Sequence, residues 1–193
     1  LLLSFDDGYV SFYERVLPIL RAYQWPAVLA PVGVWLDTPA DQPVDFGGAP
    51  VARERFLSWQ QIGEIAASGL VEIAAHTDAL HYGAQANPQG NLQPAAATRL
   101  YDPARRRYES DAEHDARIAR DVERISAKIQ AASGRAPRVW VWPYGEASGS
   151  ALRTVGDNGY ELALTLENGL GDFANLQQGP RMLLSGDPDT SNL

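Results

Sequence analysis

Leu1-Leu2-Leu3-Ser4-Phe5-Asp6-Asp7-Gly8 is the stretch whose reading decides the fold. A short apolar run ends in two carboxylates and a glycine. Buried on both faces, such a run reads as an interior parallel strand. Carboxylates at its C-terminal end then lie where α/β proteins place their chemistry. Side chains alternate along a strand, so Asp6 and Asp7 cannot share one site while the strand stays regular. Gly8 allows the sharp turn that would bring them together. One carboxylate can then hold a cation while the other, ionised beside it, takes a proton. A polar turn is the plainer account of Asp-Asp-Gly, so the rest of the chain must decide.

Working outward, Tyr9 to Tyr23 carries Phe12, Val16, Ile19, Leu20 and Tyr23 at helical spacing. Pro18 divides it into a turn and a helix that starts near the proline. Ala27 to Leu36 is a second apolar strand, in which Pro31 argues for an early end. Asp37 to Arg55 is rich in Pro, Asp and Gly and reads as a loop, with Asp37, Asp41 and Asp45 as solvated turn residues. Ser58 and Gln61 form a capping box that opens a helix, and Gly69 closes it. Leu70 to Ala75 is a third strand with His76 at its end. His76 to Ser110 is too long for an ordinary connection and reads as a functional loop. Its Arg105-Arg106-Arg107 cluster reads as a solvated face. Asp111 to Ser133 is the strongest helix, with Ile118, Val122, Ile125 and Ile129 on one stripe and Gly134 as its stop. Arg138 to Trp142 is a fourth strand, closed by Pro143-Tyr144-Gly145. A short helix spans Ser150 to Asp157, Glu161 to Leu166 is a fifth strand, and Arg181 to Leu184 is a candidate sixth. The alternation predicts an α/β fold of parallel strands with outer helices: a distorted or incomplete (β/α) barrel, with an open doubly wound sheet as the alternative.

The 193 residues suffice for one domain with a real core, and the 45% hydrophobic and 21% charged content is that of a globular protein. No apolar run reaches membrane-spanning length. Leu1 to Phe5 lacks the basic start and cleavage site of a signal peptide. Because the chain begins inside a strand, residues 1–193 read as one domain excised from a longer protein. With no cysteine, disulfides and thiolate metal sites are excluded. A net charge of −8 argues against nucleic acid as a partner.

Only three histidines occur: His76, His81 and His114. His76 and His81 are five apart, which on a helix separates them by about 140°. On a strand they face opposite ways. They converge only through a turn, and Thr77-Asp78-Ala79-Leu80 after a strand can supply it. Two imidazoles and a carboxylate form a facial set that leaves coordination positions open.

Phe5-Asp6-Asp7-Gly8, His76-Thr77 with His81, and Trp142-Pro143-Tyr144-Gly145 resemble, in order, three motifs of the polysaccharide deacetylases, the NodB-like carbohydrate esterases. That family usually pairs its histidines at i, i+4. The i, i+5 spacing here, with Leu80-His81-Tyr82-Gly83 and Asn87-Pro88-Gln89-Gly90-Asn91, is similar to the branch that deacetylates poly-β-1,6-N-acetylglucosamine in bacterial biofilm export. The resemblance implies one divalent metal ion (zinc, nickel, cobalt or iron) on Asp7, His76 and His81. It implies Asp6 as general base, the Tyr144 backbone N–H as oxyanion donor, and Trp142, Pro143, Tyr144 and Tyr82 along the sugar. It further implies the glycan polymer as partner, a periplasmic or outer-membrane location, and a second glycan-binding or hydrolase domain in the full protein. Two departures stand out. The family's Leu-x-His acid has no counterpart in Leu183-Leu184-Ser185; the resemblance to this branch, whose motifs look circularly permuted, would put that histidine upstream of Leu1. The arginine that orients the base is replaced by Val141.

Two other readings compete. His76-Thr77-Asp78 matches the His-x-Asp of non-haem iron oxygenases, with His81 or His114 as third ligand. A glycan-binding domain that retains the motif without activity is the other.

Overall fold

The computed structural model describes residues 1–172 and 174–184. In chain order the elements are β1 (Leu3–Asp7), α1 (Leu17–Tyr23), β2 (Ala27–Pro31), α2 (Gly33–Asp37), β3 (Val44–Phe46), β4 (Ala49–Val51), α3 (Trp59–Ala66), β5 (Val71–Ile73), β6 (Gly83–Gln85), β7 (Leu92–Pro94), β8 (Tyr101–Asp102), β9 (Arg107–Tyr108), α4 (Asp111–Ser133), β10 (Val139–Val141), α5 (Gly149–Asp157) and β11 (Leu162–Leu164). The parallel strands run β1-β2-β5 and β10-β11. A parallel bridge from Ala75 to Trp140 joins the two groups. The mixed α/β class and the alternation are as expected, but the barrel is not closed: among the described residues β1 and β11 do not pair. Nor is β1 interior. It is the edge of its group and half-buried throughout, whereas β2, between β1 and β5, is buried at every position.

Helix boundaries follow the local signals. Ser58 and Ser110 each complete a capping box, with Gln61 and Glu113, satisfying two end donors reciprocally. Gly134 ends α4 in the left-handed conformation, which a residue without Cβ adopts freely. On α4, Ile118, Val122, Ile125 and Ile129 are all buried, each worth ~1.5–3 kcal/mol relative to exposure. Pro18 stands near the start of α1, which follows a π turn at Phe12–Val16. Its apolar stripe is narrower than the spacing suggested, since Phe12, Leu17 and Leu20 are buried while Ile19 and Tyr23 face solvent.

Three segments depart from expectation. The second strand ends at Pro31, and Gly33 to Asp37 turn helical. The supposed loops contain antiparallel hairpins, β3–β4, β6–β7 and β8–β9, whose short strands carry too little alternation to read. Arg53 pins the first hairpin's surroundings by donating to the carbonyls of Leu36, Thr38, Phe56 and Leu57. Arg181 to Leu184 is not a strand; the chain instead rejoins β11 through a parallel bridge from Gly179 to Leu164.

The Pro143–Gly145 turn is fixed by close approach. Gly145 has φ 73°, and a Cβ there would lie 2.4 Å from Leu166 Cβ and 2.6 Å from Leu166 N. Neither neighbour can give way easily. Gly145→Ala should therefore lower stability by about 1–3 kcal/mol, read as a shift of the urea unfolding midpoint; an unchanged midpoint would show that the turn is slack.

Candidate active site and metal centre

The strands deliver their chemistry at their C-terminal ends. Asp6 and Asp7 end β1, and His76 follows the extension of β5. Asp7 has φ 73° and Gly8 φ 77°. The left-handed step at Asp7 itself breaks the alternation and lets both carboxylates reach one place. Among the described residues five non-glycine positions have positive φ, and three of them, Asp7, Thr77 and Tyr144 (φ 58°), lie in the site motifs. Such conformations cost about 1–3 kcal/mol each and persist where surrounding structure over-determines them. Here Gly8 donates to Asp6 O and Leu57 to Gly8 O, both at 2.9 Å. Gly33 donates to Thr77 O at 3.1 Å, and Leu80 N–H to Thr77 Oγ1 at 3.3 Å.

Asp7, His76 and His81 converge, their candidate ligand atoms all within 4.8 Å of one another. Asp7 Oδ1 lies 3.6 Å from His76 Nε2 and 3.5 Å from His81 Nε2. These separations are too long for hydrogen bonds. Asp7 Oδ1 is buried with no hydrogen-bond partner among the described residues, a costly state for a carboxylate oxygen unless something positive completes it. His76 Nδ1 lies 2.7 Å from the Val141 carbonyl. A carbonyl only accepts, so Nδ1 carries a proton and Nε2 is the nitrogen turned towards Asp7, the orientation of a metal-binding histidine. Burial, with the adjacent His76, pushes His81 down to about 3, so the His81 imidazole is neutral. Its ring packs between Trp35 (4.8 Å), Tyr144 (4.7 Å) and His76 (4.8 Å). Burial, opposed in part by His76, raises the Asp7 carboxyl. Two imidazole nitrogens and the orphaned oxygen they face make a three-donor set that fits one divalent cation.

Asp6 takes a different environment from its neighbour. Its Oδ2 is 4.0 Å from His76 Nε2, and both its oxygens accept from Arg181, Nη1 at 2.7 Å and Nη2 at 3.0 Å. Burial opposes ionisation of Asp6, yet His76 and the Arg181 fork outweigh it and hold the carboxyl below its usual range. Arg181 is itself anchored, donating to Thr165 O and Ser4 Oγ. The sequence reading missed Arg181 entirely. The available signal was its isolation: it is the only basic residue after Arg153, set between Gly179-Pro180 and Met182-Leu183-Leu184. It supplies the guanidinium expected at position 141, from a distant segment. Val141 contributes its carbonyl to His76 instead.

Other candidates separate. Tyr144 is 46% and Tyr82 38% exposed, and the Tyr144 N–H finds no acceptor among the described residues. Trp142 is 0% exposed and packs on Trp140 with ring centroids 5.6 Å apart. Pro143 is buried as well. Both are core and offer no face to a ligand, against the expectation that they line the sugar, because their side chains turn inward where β10 enters its turn. Asp78 does not join His76, which removes the basis of the His-x-Asp reading; it is buried and bound to Lys128. His114 is buried on α4, with Nδ1 3.2 Å from Asp115 Oδ1 and 3.3 Å from Ser150 Oγ. It lines a separate cavity of about 450 Å³ with Ala86, Thr98 and Tyr108. Ser185 lies outside the described residues.

Residues 1–163 match the polysaccharide deacetylase family. The chain belongs to that family. It is 49% identical over 186 residues to the poly-beta-1,6-N-acetyl-D-glucosamine N-deacetylase of Escherichia coli K12, covering 96% of this chain and 28% of that protein. The BpsB deacetylase domain from Bordetella bronchiseptica superposes with a TM-score of 0.90 at 42% identity, covering 95% of this chain and 70% of that one. A de-N-acetylase from Aggregatibacter actinomycetemcomitans gives 0.88 at 40% identity, with 98% and 72% covered. The chain thus spans under a third of the curated relative's length.

The cation cluster makes a direct prediction. His76→Ala and His81→Ala should each lose a bound divalent cation, measured as metal per protein after dialysis. Full occupancy in the His81 variant would refute the i, i+5 pairing.

Proposed function

We propose that this chain is the deacetylase domain of a longer protein, and that it removes acetyl groups from N-acetylglucosamine residues of a poly-β-1,6-linked biofilm polymer. One observation carries the reading: a carboxylate forked by arginine, Asp6, stands beside the Asp7, His76 and His81 cluster. The activity named for the E. coli relative supports the substrate class. A periplasmic or outer-membrane location and a further glycan-binding or hydrolase domain follow from the same reading.

A divalent cation on Asp7, His76 and His81 would act as a Lewis acid and acidify water; the donor set suits zinc, nickel, cobalt or iron. Asp6 takes the proton of the attacking water. Arg181 keeps that carboxylate ionised and fixes its orientation. The free Tyr144 N–H is available to the oxyanion, and the exposed rings of Tyr144 and Tyr82 offer faces to the sugar.

Amide cleavage also needs a proton on the departing nitrogen. His76 and His81 are committed to the cation. His114 belongs to another cavity. We therefore assign the general acid to a histidine outside residues 1–193. An ester leaves as a weaker base and needs less help. Residues 1–193 alone should cleave acetyl esters much faster than N-acetylglucosamine oligomers, and an N-terminally extended protein should gain about 100- to 10,000-fold on the amide. Equal amide turnover, measured as acetate release, would place the acid within this chain; polymer retention without acetate release from either protein would favour a binding domain.

Roles within the acidic pair are separable. Asp6→Asn should retain the cation and lose turnover, whereas Asp7→Asn should lose the cation; the reverse pattern would exchange them. Arg181→Met tests the base. Without the guanidinium, burial dominates and Asp6 titrates higher, so the acid limb of kcat/KM should move to higher pH. An unmoved limb would mean that Arg181 does not set the ionisation of the base.

A further inference from the structure

His76 and His81 can face one cation only if the four residues between them turn sharply, and the turn is buried. Its apex turns two backbone N–H groups, those of Asp78 and Ala79, into the packed interior against α4. Both donate to one side chain. Asp121 on α4 accepts from Asp78 N with Oδ1 and from Ala79 N with Oδ2, each at 2.8 Å. Asp121 is buried, as is Asp78. Seven residues further along α4, two turns on and on the same face, Lys128 binds the Asp78 carboxylate and also Asp37 at the end of α2. From the other side, the first N–H groups of α2 close the turn: Gly33 donates to Thr77 O and Val34 to Asp78 O. The packing leaves no slack, since a Cβ on Gly33 would lie 2.2 Å from Asp78 Oδ1.

We propose that Asp121 is a positioning residue for the metal centre: by holding the Asp78 and Ala79 amides on its two oxygens, it sets the i, i+5 turn that brings His81 to the cation beside His76. The proposal rests on the metal-centre reading above. A carboxylate suits the task because it is acceptor-only at both oxygens. Asparagine has the same shape but would turn an N–H₂ group towards one of the two donors. Partners of this kind typically govern metal affinity by 10- to 100-fold.

The experiment compares cobalt(II) binding by the intact protein, by Asp121→Asn and by Glu123→Gln, an equal charge change on the exposed face of α4. Affinity comes from chelator competition and ligand geometry from the visible cobalt absorption. Asp121→Asn should bind about 10- to 100-fold more weakly with an altered spectrum, and Glu123→Gln should match the parent. If the parent binds no cobalt, the metal-centre reading fails and this proposal falls with it. If the parent binds and Asp121→Asn matches it in affinity and spectrum, the proposal alone is overturned. Should Asp121→Asn fail to fold, hydrogen exchange in the parent decides. The Asp78 and Ala79 amides should be protected as strongly as that of Ala74, which donates to Leu29 O at 2.8 Å, and exchange at the rate of an exposed loop would overturn the clamp.

Discussion

A single buried carboxylate oxygen, Asp7 Oδ1, is the constraint around which this structure is arranged. Among the described residues it has no hydrogen-bond partner, and it faces two imidazole nitrogens at 3.5–3.6 Å. A folded protein does not leave such an oxygen unpaired without compensation. Three backbone positions in a disfavoured conformation, at Asp7, Thr77 and Tyr144, surround it. Their summed cost is several kcal/mol by the usual ~1–3 kcal/mol each. Stability is therefore spent where the donor atoms must converge, and the core under α3, α4 and α5 offsets it.

Adjacent carboxylates acquire opposite characters from their surroundings alone. Asp7 is raised by burial, with His76 opposing. Asp6 is also buried, but His76 and a two-pronged guanidinium hold it ionised. Neighbouring groups driven apart in this way are the usual basis for dividing acid–base labour within one site. Arg181 reaches Asp6 because the chain returns past β11 at Gly179 and runs beside β1. The open side of the sheet, between β1 and β11, is thus where the carboxylate's partner enters.

The long helix α4 does more than cover the sheet. Its apolar stripe supplies core, while Asp121 and Lys128 on the same helix hold the loop between the two histidines. One rigid element thereby couples packing to site geometry. A loop anchored by two carboxylate oxygens and an ammonium has far fewer conformations than its length would allow.

The sequence alone carried the parts of this protein that depend on short-range chemistry. Capping boxes at Ser58 and Ser110 and the isoleucine stripe of α4 mark helices because both partners lie within one or two turns. Asp6, Asp7, His76 and His81 were legible as a group because strand ends in α/β folds collect on one rim. Beyond that reach, tertiary structure decided. It kept the sheet open, placed Trp142 and Pro143 in the core, turned Gly33 to Asp37 into a helix, and gave Asp6 an arginine 175 residues away. It also took Asp78 from His76 and gave it to Lys128, 50 residues on. An ion pair across such distances leaves no periodicity in the chain. It exists only because the packed strands and helices fix both partners at hydrogen-bonding distance.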